Sequence, residues 1–180
     1  MPRLLFPTRW NSADARTPHD PSLDRLTGRS GGGAGSVQGG STLSISACIW
    51  NYRDGEPIGF AFDVIRDILS TQDTDWNSDG YLSVRFQNPP DYIDFIYLGQ
   101  DAPETNHVKG IMISRPICHP DYLARVFRIL ELGDVMMFYT DDTTPVFVRG
   151  SDPSHYPTDL LGELGTPRFI DSPSGVLHQN

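Results

Sequence analysis

Twice along this chain a run of alternating apolar residues gives way to helical spacing and then to two further strand-like runs. In the first pass Leu43, Ile45, Ala47 and Ile49 share one face of a strand, with Ser44, Ser46 and Cys48 on the other. Ala61, Ile65, Ile68 and Leu69 follow at helical spacing between Phe60 and Ser70. Leu82, Val84 and Phe86 then alternate, and after Pro89-Pro90 the segment from Tyr92 to Leu98 reads as another strand. In the second pass Val108 to Ser114 is a strand. His119-Pro120-Asp121 opens a helix, because Pro suits the first helical position and Asp the positive end of the dipole. Leu123, Val126, Phe127 and Leu130 make its apolar stripe, and Gly133 stops it. Val135 to Tyr139 and Pro145 to Arg149 are strands joined around Asp141 to Thr144. A short last helix, with Pro157 in its first turn and Gly165 at its end, buries Leu160, Leu161 and Leu164. The expected fold is α+β, a mainly antiparallel sheet with two or three helices.

The segments 43–98 and 108–149 match in element order and not in residue identity, which points to a duplicated strand-helix-strand-strand unit. That order resembles the duplicated modules of gyrase-inhibitor-like effector-binding domains. The resemblance implies a pseudosymmetric sheet with two helices on one face, and it transfers no functional residue. A cleft between the halves would suit a small-molecule sensor.

Residues 1–42 read as a disordered arm ending in a Gly/Ser linker, Ser30 to Ser41, although Leu4, Leu5, Phe6 and Trp10 offer apolar docking points. Residues 43–180 read as one acidic domain. The arm holds five Arg against three Asp, whereas the domain holds nine basic against twenty acidic residues, a balance of -11. Such a surface repels phosphate backbones and attracts a basic protein or a cation, so no nucleic-acid partner is expected. Of the 23 acidic residues 19 are Asp, which favours turns and caps over helix interiors. No apolar run approaches the roughly 20 residues of a membrane span, and the first ten residues lack a secretory pattern; a cytoplasmic location is the expectation. Two cysteines, Cys48 and Cys118, make no disulfide framework or zinc knuckle.

The run from Asp75 to Ser83 spells most of a calcium loop. Asp75, Asn77 and Asp79 stand at ligand positions 1, 3 and 5, Gly80 at the turn, the Tyr81 carbonyl at 7 and Ser83 at 9. Position 12 is Phe86, so the usual bidentate Glu is missing and calcium binding would be weak without Asp73, Asp91 or Asp94. The competing reading is a turn that collects Asp, Asn, Ser and Gly for their backbone preferences. Glu104, His107, Cys118 and His119 flank a strand too far apart to share one ion, and Asp141-Asp142 reads as a solvated turn.

No Gly-x-Ser-x-Gly elbow and no phosphate-cradling Gly loop after a strand is present. The expectation is therefore a non-enzymatic binding protein for a basic protein partner, of inhibitor or immunity type. Trp50, Tyr52, Trp76, Tyr139 and Tyr156 are its candidate interface anchors. A small-molecule sensor and a weak calcium module are the alternatives, and calcium is the one cofactor admitted.

Overall fold

The computed structural model describes residues 45–177; the arm, Leu43 and Ser44 lie outside the described residues. Period-two patterning gives β1 (Ser46–Trp50), β6 (Tyr81–Phe86), β7 (Asp91–Tyr97), β9 (Ile111–Ser114), β10 (Met136–Tyr139) and β11 (Val146–Val148). Between them run the short strands β2 (Tyr52–Arg53), β3 (Glu56–Pro57), β4 (Phe60–Ala61), β5 (Asp73–Trp76) and β8 (His107–Val108), with β12 (Arg168–Ile170) last. The helices are α1 (Phe62–Leu69), α2 (Ala102–Thr105), α3 (Pro120–Leu130) and α4 (Thr158–Leu164), with single 3-10 turns at Pro153–His155 and Pro173–Val176. The α+β class and the antiparallel bias are as expected. Every neighbour in the eight-stranded sheet β12-β11-β10-β1-β9-β7-β6-β5 is antiparallel except β11 and β12.

The second half keeps the strand-helix-strand-strand order, whereas the first follows α1 with three strands, and the strands after the two helices enter the sheet from opposite directions. Helix α3 returns directly to β10 beside β1, whereas α1 crosses to β5 at the far edge and the meander β5-β6-β7 walks back to β9. A two-fold axis between β1 and β9 would therefore exchange β10 with β7, the last strand of the other half. The unexpected strand β5 is the cause.

Helices α1 and α3 lie against each other on one face. They bury Phe62, Ile65, Ile68 and Leu69 from α1, and Tyr122, Leu123, Val126, Phe127, Ile129 and Leu130 from α3. These meet Ala47, Ile49, Val84, Ile96 and Ile113 from the sheet. On the helix side the junction of the two halves is filled by Ala47, Ile49, Ile111 and Ile113.

Two polar contacts lock the helices in place. The Arg125 Nη1 of α3 donates to the carbonyls of Ile68 at 2.6 Å and Ser70 at 2.8 Å, closing the C-terminal end of α1. His119 caps α3 through Nδ1, which accepts from the Asp121 N–H, while its Nε2–H faces the Pro89 and Gln87 carbonyls at 2.9 and 3.2 Å. Those contacts occupy both ring nitrogens, and the ring lies tilted 5.0 Å from that of Phe86.

Candidate functional site

Among the described residues, the other face of the sheet is covered at one end only. There Met136, Phe147, Tyr156 and Leu164 form a second small core, flanked by Tyr52, Phe138, Leu160 and Leu161. The Tyr156 hydroxyl sits 2.7 Å from the carbonyl oxygens of both Trp50 and Asp134 and shares its proton between them. Burial accordingly pushes its acidity far down, that is, its pKa up. Replacing Tyr156 by Phe is expected to cost about 2 kcal/mol, because two carbonyls lose one donor with little packing lost; chemical denaturation of the variant checks it.

Beyond β1 this cover ends. Cross-strand register sets Phe138, Cys48, Met112, Tyr97 and Tyr81 in one row across β10, β1, β9, β7 and β6. The row begins under the small core and ends in the open. A β-bulge enlarges it: the register slips between Leu82 and Val84, so Ile96 and Ile93 both turn inward while Asp94 and Phe95 both stay outside. The Ser83 hydroxyl donates to the Asp94 carbonyl at 3.1 Å and secures the bulge. Phe95, 41% exposed, meets the Tyr81 ring edge-on at 5.8 Å, and Tyr81 meets Tyr97 at 5.0 Å. Tyr92 is 59% exposed in the neighbouring row, opposite Arg85, which pairs in turn with Asp73 of β5.

Carboxylates ring this aromatic surface. Asp73 and Asp75 lie on β5 and Asp94 on β7, while Asp91, opposite the buried Phe86, sits at the sheet edge toward the helix side; all four are exposed. Asp101 acts on Tyr97, whose pKa is raised mainly by burial, then by Tyr81 and Asp101. Against these stand Arg85 and Arg115. A depression of about 590 Å³ opens beside the row, lined by Asp73, Arg85, Gln87, Asp91 and Tyr92 among others.

Cys48 lies in the row and is no nucleophile at neutral pH, because burial pushes its thiol up to about 11 and the thiolate is the reactive form. Cys118 is exposed. One thiol per chain should therefore react quickly with a small alkylating reagent near neutral pH; labelling counted by mass, with Cys118→Ser losing the fast phase, checks it. The same burial sets an alkaline limit. Cys48 has an ordinary pKa of 9.0 and Tyr139 one of 10.0, and the fold raises them to about 11 and about 12. The unfolded chain loses these protons first, so stability is intact below about pH 9 and falls as pH climbs through about 12. Denaturant midpoints across that window test the slope, and Cys48→Ala should flatten its lower part.

The expected anchors are placed differently. Tyr139 is buried, its hydroxyl donating to the Val176 carbonyl at 2.8 Å, and Tyr156 is buried as described, so neither is a surface anchor. Trp50, Tyr52 and Tyr156 make one cluster of tilted rings, with centroids 6.3 and 5.0 Å apart, and Trp76 leans edge-on against Phe62 at 5.2 Å. These three half-buried rings, Trp50, Tyr52 and Trp76, serve packing first.

The stretch expected as a helix-to-strand loop is instead the β5–β6 hairpin. Asp75 and Ser83 face each other across the ladder, and Asn77 Oδ1 accepts the N–H groups of Asp79 and Tyr81, both at 3.0 Å. The Tyr81 carbonyl accepts from the Asn77 N–H. The Asp, Asn and Gly thus carry a turn. Among the described residues no three His, Cys, Asp or Glu side chains gather as a metal site, and no helix is long and apolar enough to cross a membrane.

One histidine does sit between carboxylates. His155 Nδ1 is 3.3 Å from Asp54 and Nε2 is 3.6 Å from Asp134, which ties the β2–β3 hairpin to the turn before α4.

Nothing in the sequence pattern singled out Phe95, Tyr97, Met112 or Arg115. Two inward isoleucines three apart in a strand, Ile93 and Ile96, were the available sign of the bulge. No protein-family model, curated protein or solved structure matches the chain.

Proposed function

We propose that this domain is a binding protein for a basic protein partner, which it engages through the open half of the sheet. The observation that supports the reading is the aromatic cluster Tyr81, Tyr97 and Phe95, of which Phe95 is 41% exposed, with Asp73, Asp75, Asp94 and Asp101 around it. Large rings supply contact area with little entropy to lose, and the carboxylates steer and orient a cationic surface. A second copy of the chain is disfavoured, since face-to-face pairing brings like-charged rims together. The hairpin hydrogen bonds favour the turn reading over a calcium module, because the Asn77 oxygen and the Tyr81 carbonyl are already engaged.

The test separates this face from general acidity. Binding of a basic peptide to the full chain should weaken steeply with added salt. It should also fall by about tenfold in Phe95→Ser with Tyr97→Ser, a pair that changes no charge. Equal binding by that double variant would assign the attraction to net charge alone.

A further inference from the structure

We propose that the basic partner adds an extended strand to β5, the open edge of the eight-stranded sheet, and that the added strand carries cationic residues two apart. This rests on the basic-partner reading and supplies its mode of contact. At the end of the order β12-β11-β10-β1-β9-β7-β6-β5, strand β5 has β6 as its one neighbour. The pair is antiparallel, so positions that bond across the ladder alternate with positions that do not. The Asn77 N–H donates to the Tyr81 carbonyl at 3.0 Å, which fixes the phase. Asp75 and Asp73 therefore turn their backbone groups toward β6, and Thr74 and Trp76 turn theirs away. On that outer side the N–H and C=O groups of Thr74 and Trp76 have no hydrogen bond among the described residues. The Thr74 hydroxyl accepts from the Thr71 N–H at 2.8 Å instead of capping them. Four backbone groups thus stand ready for a further strand.

Side chains say which strand fits. Period two puts Asp73 and Asp75 on the open face, opposite Arg85 and Ser83, and Thr74 and Trp76 on the helix side, opposite the buried Val84 and Leu82. Both carboxylates are exposed and neither has an ion pair among the described residues, although Asp73 accepts from the Gln87 amide at 3.3 Å. An antiparallel strand bonded to Thr74 and Trp76 sets two of its residues opposite Asp73 and Asp75 at the non-bonded positions, where side chains come closest. Cations fit there. The residue between them points to the helix side, beside the half-buried Trp76 ring, where an apolar side chain fits. A second copy of the chain is disfavoured, because antiparallel pairing of β5 with β5 brings the carboxylates together.

The experiment titrates the full chain with a capped peptide of alternating Lys and Val, and with two forms of it, N-methylated on every Val or on every Lys. All three carry the same charge. In the added strand the Val N–H groups point at β5 and the Lys N–H groups point away. The Val-methylated form should therefore bind about tenfold more weakly than the unmodified peptide, and the Lys-methylated form within about twofold of it. Amide exchange at Thr74 and Trp76, fast in the free chain, should slow when the unmodified peptide is added. Thr74→Pro removes one outward N–H and leaves the ladder to β6, so it should weaken binding by about fivefold. Thr74→Val, which loses the hydroxyl and keeps the N–H, should bind as the wild type does, and thermal melts of both variants check the fold. Equal binding by the two methylated peptides, or wild-type affinity in Thr74→Pro, would overturn strand addition and leave the basic-partner reading standing. No binding of any of the three peptides, even at low salt, would overturn both.

Discussion

Gly80→Ala is expected to destabilise the domain by about 3 kcal/mol, the larger part from a collision and the smaller from backbone strain. Gly80 has φ +89, and a methyl group there would stand 2.6 Å from the Gln100 nitrogen and the Gly99 carbonyl carbon. Both are backbone atoms, so no side chain can swing aside. The loop after β7 would have to move, and with it the Leu98 N–H that donates to the Gly80 carbonyl at 2.9 Å. Gly150 gives the comparison: its φ is +101, but a methyl group there meets nothing within 4 Å. Gly150→Ala should cost only the conformational part, about 1 kcal/mol. Equal denaturation midpoints for the two variants would refute the close approach of hairpin and loop. Because Gly80 precedes Tyr81 and the displaced loop follows Tyr97, Gly80→Ala should also weaken peptide binding.

Arg125→Ala should cost about 3 kcal/mol, through the C-terminal end of α1 rather than through lost charge. The guanidinium satisfies the Ile68 and Ser70 carbonyls together, and no other donor reaches either by a side chain among the described residues. Truncation leaves both acceptors half-buried and removes the stem that packs between the helices. Arg125→Lys should recover about half, since one nitrogen, Nη1, makes both bonds and an ammonium can replace it, though from a stem of different shape and length. Arg66→Ala on α1, whose only ion pair among the described residues is an exposed 3.7 Å contact with Asp67 and whose guanidinium stands 5.6 Å from the Phe62 ring, should cost no more than about 1 kcal/mol. Hydrogen exchange should report faster opening of α1 in Arg125→Ala, with β10 and β11 little changed. Uniform acceleration across the sheet would contradict a local clamp.

These cases mark how far the sequence could be read. Strands whose apolar residues alternate without interruption, β1 and β6, are legible because burial on one face forces period two. Helix α3 is legible from its stripe and from His119-Pro120-Asp121, though the second role of His119, holding the 87–90 turn, depends on residues about 30 positions away. Other elements are decided by tertiary pairing. Phe60 and Ala61 join β8 instead of α1, and Asp73 to Trp76 becomes strand β5 because β6 offers a ladder, despite two Asp. Strand β12 runs parallel to β11 on three residues that carry no pattern of their own. The site was the least legible part. Aromatic residues chosen for their size, Tyr139 and Tyr156, are core residues whose hydroxyls find carbonyls, while the exposed Phe95 owes its position to a one-residue register slip.

The most direct test of the account is to map where a cationic peptide touches the full chain, by amide and methyl NMR shifts on adding oligo-arginine. The account predicts changes concentrated at Tyr81, Arg85, Phe95, Tyr97, Met112 and Arg115, with Asp63 and Asp67 on the α1 face silent. Shifts spread in proportion to acidic residues over both faces, with Asp63 and Asp67 responding as strongly as Asp75 and Asp94, would contradict it.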